Sequence, residues 1–296
     1  MVEKGFRLED DDMSKVLEKL ARREVAFGCI DSICSPALTE VLGAAGMDMA
    51  CADMMFRPTS WDTFQAIVRS AQVFGIDPFV RLKAYPWAGA SDPRLAVDAA
   101  LAYSLGAVGV AFSCATVEDV ERIVEVSRDW HRDIHIHPFE KWEYASYKAK
   151  VASQRVVMPL IEDEQALKDL DKILAVEGVH VVFLALSDIS RMVGHPFDFG
   201  HPKVWAVVDR AVESAAKNDV AIAANVGYEF SKGPEMMAER VRAMAARGVR
   251  VVMLQNSGFL IQKLYRYVLD TIGAGLPPAQ PRAKTGKPRK RAPRRQ

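Results

Sequence analysis

Short apolar runs alternate with longer amphipathic ones along most of this chain. Residues 156–161 (VVMPLI) and 179–186 (VHVVFLAL) are continuously apolar, as strands covered on both faces are. Between them, Leu167, Leu170, Ile173 and Leu174 fall at helical spacing, which predicts one helix over 164–178. The same unit recurs before and after. VAFGCI is a first strand, followed by a helix with Ser35 as cap, Pro36 at its first position and Gly46 as its stop. MDMACAD, DPFVRLKAY and AVGVAFSC read as strands two to four, and VAIAANVG and VRVVMLQN as strands seven and eight, each with an amphipathic helix behind it. Eight such units without an interposed domain predict an α/β fold of the (β/α)₈ TIM-barrel type over residues 1–276. A doubly wound sheet would carry a Gly-rich phosphate turn, and the sequence has none. An N-terminal amphipathic helix over 12–23 is expected to plug the bottom of the barrel. The segment 131–154 breaks the rhythm, with His131, His135 and His137 set among Phe139, Trp142, Tyr144 and Tyr147.

Charge changes the picture at one end. The 296 residues carry a net charge of +1, but the tail after Leu276 holds eight Lys or Arg and no acid. The rest has 31 basic against 38 acidic residues, so the barrel is mildly acidic and gives no support for a nucleic-acid-binding core. The Pro-rich basic tail, 277–296, is expected to be disordered and at most to touch nucleic acid weakly. No apolar run reaches the roughly 18–20 residues of a membrane span. The charged start lacks the apolar core of a signal peptide, so a cytoplasmic location is expected. Cys29, Cys34, Cys51 and Cys114 show no CxxC spacing and read as buried free thiols.

Barrel enzymes assemble their sites at the C-terminal ends of the strands. Glu162 and Asp188 stand where strands five and six stop. Two carboxylates from neighbouring strand ends suit a hard divalent cation such as Mg²⁺ or Mn²⁺, or else they begin loops and cap helices. Asp31 and Asp53 end strands one and two, with helix capping or loop hydrogen bonding as the alternative role. Arg81 and Lys83 share one face of strand three. A guanidinium there suits a carboxylate or enolate oxygen, or a buried ion pair with one of those aspartates. Asn225 and Gln255 end strands seven and eight.

Taken together and in order, EVLGAAGMD, Arg81 in FVRL, Glu162 in LIED, LAVEGV, LSDIS and HPKV resemble a known pattern. Over roughly residues 20–275 the chain is similar to the class II pyruvate aldolases of the HpcH/HpaI family (the 4-hydroxy-2-oxoheptanedioate aldolase and citrate lyase β-subunit superfamily). The resemblance implies one divalent metal, Mg²⁺ or Mn²⁺ with Co²⁺ as a further option, on Glu162 and Asp188. It implies that the metal chelates the 2-oxo and carboxylate oxygens of pyruvate. Arg81 would steady the enolate, backbone amides near Ser187 and Asp188 would hold the carboxylate, and the protein would be a homo-oligomer.

The departures are equally specific. The family's Asp-Gly-Glu-His after strand two, whose His paired with the Asp moves the proton, is Asp53-Met54-Met55-Phe56 here. The Gln two residues before the metal Glu is Leu160, and the Gly-Pro before the metal Asp is Ala185-Leu186. The base must come from elsewhere: Lys83, Tyr85, His135, His137, or Asp53 through a water. Phe56, Trp87, Met54 and Met55 near the mouth suggest a bulky or aromatic acceptor, or a packed rim. The function implied is a metal-dependent carbon–carbon lyase acting on a 2-oxo acid. The alternatives are a decarboxylase, hydratase or acyl-ester lyase on the same scaffold, or a non-catalytic barrel that binds an oxo acid.

Overall fold

The computed structural model describes residues 14–82, 93–113, 116–129, 149, 151–227 and 233–273. Eight parallel strands close into one barrel in sequence order: β1 (Ala26–Asp31), β2 (Met49–Asp53), β3 (Asp77–Leu82), β4 (Gly109–Phe112), β5 (Val156–Ile161), β6 (Val181–Leu184), β7 (Ala221–Asn225) and β8 (Val249–Asn256). The helices α1 (Lys15–Ala21), α2 (Pro36–Ala44), α3 (Trp61–Phe74), α4 (Pro93–Leu105) and α5 (Val117–Asp129) come in the first half. In the second half are α6 (Glu164–Lys168), α7 (Leu170–Leu174), α8 (Leu186–Met192), α9 (Pro202–Ala216), α10 (Gly233–Arg247) and α11 (Ser257–Gly273). The expected barrel is the observed one.

Strand side chains alternate, and here they sort into two concentric cores. Met49 and Cys51, Phe79, Ala111, Val156, Met158 and Leu160, Val181 and Phe183, and Val251 and Met253 fill the lumen. Their neighbours Ala52, Val80, Leu82, Phe112, Val157, Ile161, Val182 and Leu184 face the helices. Lumen packing is tight enough to require a glycine: a Cβ on Gly109 would fall 2.0 Å from the Phe79 ring. The helix faces follow suit, with Phe64, Ile67, Val68 and Ala71 of α3 buried four residues or fewer apart.

The bottom of the barrel is plugged as expected. Val16 of α1 is buried in the lumen cluster, with Leu17 and Leu20 against it. Ser14 caps the helix by accepting from the Leu17 amide at 3.2 Å, and its hydroxyl donates to Asp77 at the start of β3 at 2.7 Å. The Val16 amide donates to the same Asp77 oxygen at 2.9 Å, and Lys19 pairs with Asp48 at 2.8 Å.

Three local expectations need correction. The single helix over 164–178 is two short helices broken at Asp169, whose carboxylate binds Lys172 and Gln165 rather than the backbone. Strand six stops at Leu184, and the LSDIS stretch read as its end is the short helix α8. Asp188 therefore sits in a first helical turn. Ser35 is the N-cap residue of α2 but makes no side-chain cap bond, and its own amide donates to Asp31.

Candidate active site

Alternation decides which strand-end residues reach the cavity. Asp53 follows Met49 and Cys51, and Arg81 follows Phe79, so both continue the lumen-facing set, as does Glu162 after Leu160. Asp31 has the opposite parity. Its carboxylate accepts from the amides of Ile33, Cys34 and Ser35 at 2.8, 2.9 and 3.2 Å and from the Ser257 hydroxyl at 3.1 Å. Asp31 organises a loop.

At the C-terminal end a cavity of about 820 Å³ opens. Glu162, Asp188, Ser187, Arg81 and Phe56 line it together, with Asn225, Gln255, Asp163, Arg191 and Arg240. Asp53 and Arg81 are paired residues of the β2–β3 ladder, which brings them face to face across 28 positions of sequence. Arg81 donates from Nε to Asp53 Oδ1 at 3.0 Å and from Nη2 to Oδ2 at 2.7 Å. Asp53 is buried, and the forked geometry is the one guanidinium and carboxylate prefer. Burial works against the Arg81 charge, but the hydrogen bonds and charge of Asp53, helped by Glu162, hold its pKa above the ordinary value. On its other side the guanidinium lies over the Phe56 ring, 4.9 Å from the centroid. The residue standing where a base was expected is thus a cation–π support for Arg81.

Glu162 is the strained charge of the site. Burial pushes its carboxyl above the ordinary range, and the negative charges of Asp188 and Asp163 push the same way. The Ser113 hydroxyl and Arg81 oppose that rise. Asp188 accepts from the Ser187 hydroxyl at 2.9 Å and pairs with Arg191 one turn on. Its amide, expected to serve a substrate carboxylate, donates to the Ala185 carbonyl at 2.9 Å, and the Leu186 amide donates to Asn225 Oδ1 at 2.8 Å. The first turn of α8 ties both of these donors to the protein because a helix, not a strand end, occupies the place.

Among the described residues no three His, Cys, Asp or Glu side chains converge. Two carboxylates do, and this is the donor set of a Mg²⁺-like ion, which takes one or two protein oxygens and completes its octahedron from water and substrate. A cation there would also offset the crowded negative charge on Glu162. The residues fit a hard divalent metal.

None of the described residues lining the cavity is a histidine. His180 precedes β6 at the opposite end, and His195 and His201 stack on each other in the loop after α8, centroids 3.3 Å apart. Lys83, Tyr85, Trp87, His135 and His137 lie outside the described residues, as does the basic tail. Of the cysteines, Cys29, Cys34 and Cys51 are buried free thiols, as expected, and Cys114 lies outside the described residues. Ser113, Arg191, Phe197, Phe199 and Arg240 were not anticipated. Ser113 was findable, two positions beyond lumen-facing Ala111, whereas the others lie in helices and loops with no strand parity to betray them.

Known proteins share this fold. The 5-keto-4-deoxy-D-glucarate aldolase of Shigella boydii serotype 18 is 26% identical over 208 residues, covering 69% of this chain and 78% of that one. The solved HpcH/HpaI aldolase from Desulfitobacterium hafniense DCB-2 superposes with a TM-score of 0.74 at 20% identity, over 90% of this chain and 98% of its own. The citrate lyase β subunit from M. tuberculosis, solved with oxaloacetate and magnesium, is more distant, with a TM-score of 0.51 at 15% identity over 84% and 98% of the two chains. The HpcH/HpaI aldolase/citrate lyase family matches residues 65–257, from α3 through the end of β8. On that match the chain belongs to the HpcH/HpaI aldolase/citrate lyase family and is a class II aldolase/lyase.

Proposed function

We propose that the protein breaks or forms the aldol bond of a hydroxylated 2-oxo acid through a pyruvate-type enolate, with a divalent metal held by Glu162 and Asp188. The observation that carries this reading is the meeting, in one cavity, of two carboxylates with an arginine already fixed by its own aspartate. Magnesium in the citrate lyase relative supports Mg²⁺ as the ion, and Mn²⁺ or Co²⁺ would serve the same donors. When bound, the metal supplies Lewis acidity to the 2-oxo oxygen, where negative charge grows as the bond breaks.

The chain's own residues do the rest. Asp53 spends both oxygens on Arg81, which fixes the plane of the guanidinium and leaves other N–H groups for an enolate or carboxylate oxygen. A donor held in place beforehand stabilises charge that appears only in the transition state. The Ser187 hydroxyl orients the Asp188 carboxylate. In the cleavage direction the substrate hydroxyl loses its proton and the carbon–carbon bond breaks. Its electron pair moves into the enolate, whose terminal carbon then takes a proton. Phe56 has no proton to exchange, so Asp53, Lys83 and His137 are the candidates for that transfer. Exposed apolar residues along α11, among them Leu264, Tyr265, Leu269 and Ile272, support assembly as a homo-oligomer. Among the described residues no helix is long and apolar enough to cross a membrane, which is in keeping with work in the cytoplasm.

Deuterium exchange at the methyl group of pyruvate in D₂O, followed by NMR with Mg²⁺, tests the reading. Exchange that needs the metal and is lost in Asp188→Ala is the expected result. Metal binding without exchange would overturn it in favour of decarboxylase, hydratase or acyl-ester lyase chemistry.

A further inference from the structure

We infer that the acceptor half of this cavity takes an aldehyde bearing an aromatic or similarly large apolar group, seated against Phe197 and Phe199. The inference rests on, and deepens, the aldolase reading. In the bond-forming direction the enolate carbon gives its electron pair to the aldehyde carbon, and the aldehyde oxygen takes up a proton. The proposal concerns what the aldehyde carries.

Three observations converge. The first is exposure: Phe197 is 63% exposed and lines the cavity. Large apolar side chains left open at the mouth of a site mark a surface that a ligand covers. The second is a backbone conformation that bulky residues avoid. Phe197 sits at φ +62°, in the left-handed region, where the local structure must hold it. Here Ser190 does so, its hydroxyl accepting from the Phe197 amide at 2.9 Å and its carbonyl accepting from the His195 amide at 2.8 Å. The stacked rings of His195 and His201 close the same loop from both sides. The ring is therefore presented, not loosely tethered, which is the preorganisation a binding wall needs.

The third is the seat of Phe199. Its ring lies against Gly227, where a Cβ would come within 2.3 Å, so only glycine admits it. Arg240 covers the ring 6.0 Å from its centroid and donates to the Gly227 carbonyl. Two of the cavity's arginines, Arg191 and Arg240, already hold protein partners, Asp188 and the Gly227 carbonyl. Where Phe197 and Phe199 line the cavity, a hydroxylated or carboxylate-tipped aldehyde would meet ring faces, whereas the polar lining of Asn225, Gln255, Asn256 and Lys263 stands on other elements. At about 820 Å³ the cavity has ample room for a ring beside a three-carbon oxo acid.

The test uses the full-length protein with Mg²⁺ and two non-cleavable 2-oxo acids, 4-phenyl-2-oxobutanoate and 2-oxoadipate, with binding measured by calorimetry. The phenyl compound is expected to bind at least tenfold more tightly. In Phe197→Asn, which removes the ring but tolerates the left-handed backbone, that ratio should fall to within about threefold. Phe199→Leu gives a second reading if the first variant misfolds, and should narrow the ratio in the same direction. Equal or tighter binding of 2-oxoadipate, or binding of neither compound, would overturn the inference. Pyruvate exchange on the unaltered protein separates the two readings. Exchange without phenyl preference removes only this inference, whereas phenyl preference without exchange removes the aldolase reading and leaves the apolar wall standing.

Discussion

The two ends of the barrel treat a buried carboxylate in opposite ways. At the bottom, Asp77 is buried and accepts from the Ser14 hydroxyl and the Val16 amide, both supplied by the start of α1. At the top, Glu162 is also pushed up by burial, but beside it stands a second carboxylate, Asp188, in an open cavity. The bottom charge is stitched in by the chain itself. The top charge is crowded by another of the same sign, which costs stability unless a cation arrives. Structure is secured at one end so that chemistry can be left incomplete at the other.

Breaking the top should have the largest effect on activity. Glu162→Gln removes one oxygen anion from the metal pair and should lower metal-dependent turnover, or pyruvate exchange, by about 10³-fold or more. Thermal melting of the metal-free protein should hold or rise, because a desolvated charge has gone. Arg81→Met strikes both activity and fold. It leaves Asp53 buried and unpaired, so chemical denaturation should show a loss of about 3–5 kcal/mol, alongside lost turnover. The bottom should respond in the reverse sense. Burial raises the Asp77 carboxyl from 3.8 to about 6, so the folded state holds a proton that the unfolded chain releases. The stability from that proton is complete below the unfolded value and is lost as pH rises through about 6. Asp77→Asn keeps an acceptor for Ser14 and Val16 without the charge. It should raise stability by up to about 3 kcal/mol at pH 8 and leave it unchanged near pH 3, as read by denaturation at both values. The smallest effect is expected from Ser113→Ala. Loss of the hydroxyl that supports the Glu162 carboxylate should weaken Mg²⁺ binding about tenfold in a calorimetric titration, with little change in melting.

Much of the site is legible in the sequence. Runs of apolar residues separated by helical patterns give eight strands, whose ends put Asp53, Arg81 and Glu162 at the C-terminal end of the barrel. Which face of each strand is the lumen needed the closed barrel, where Ala26 and Ile30 face inward and Asp31 therefore turns outward. Lys83 shares the parity of Arg81 but lies beyond the described residues, and so do His135 and His137. The break at Asp169 and the helical start of Asp188 were not legible, because apolar spacing there fits one helix or a longer strand equally well.

The sequence by itself determined the barrel, the kind of chemistry its strand ends can hold, and the absence of an imidazole where the family keeps one. These are local properties, set by side-chain periodicity and residue type over a few positions. Only the tertiary structure decided that Asp53 is committed to Arg81, that Phe56 supports the same guanidinium, and that Phe197 and Phe199 wall the cavity. Those contacts depend on strand register and loop conformation, which join residues far apart in the chain, and no periodicity encodes them.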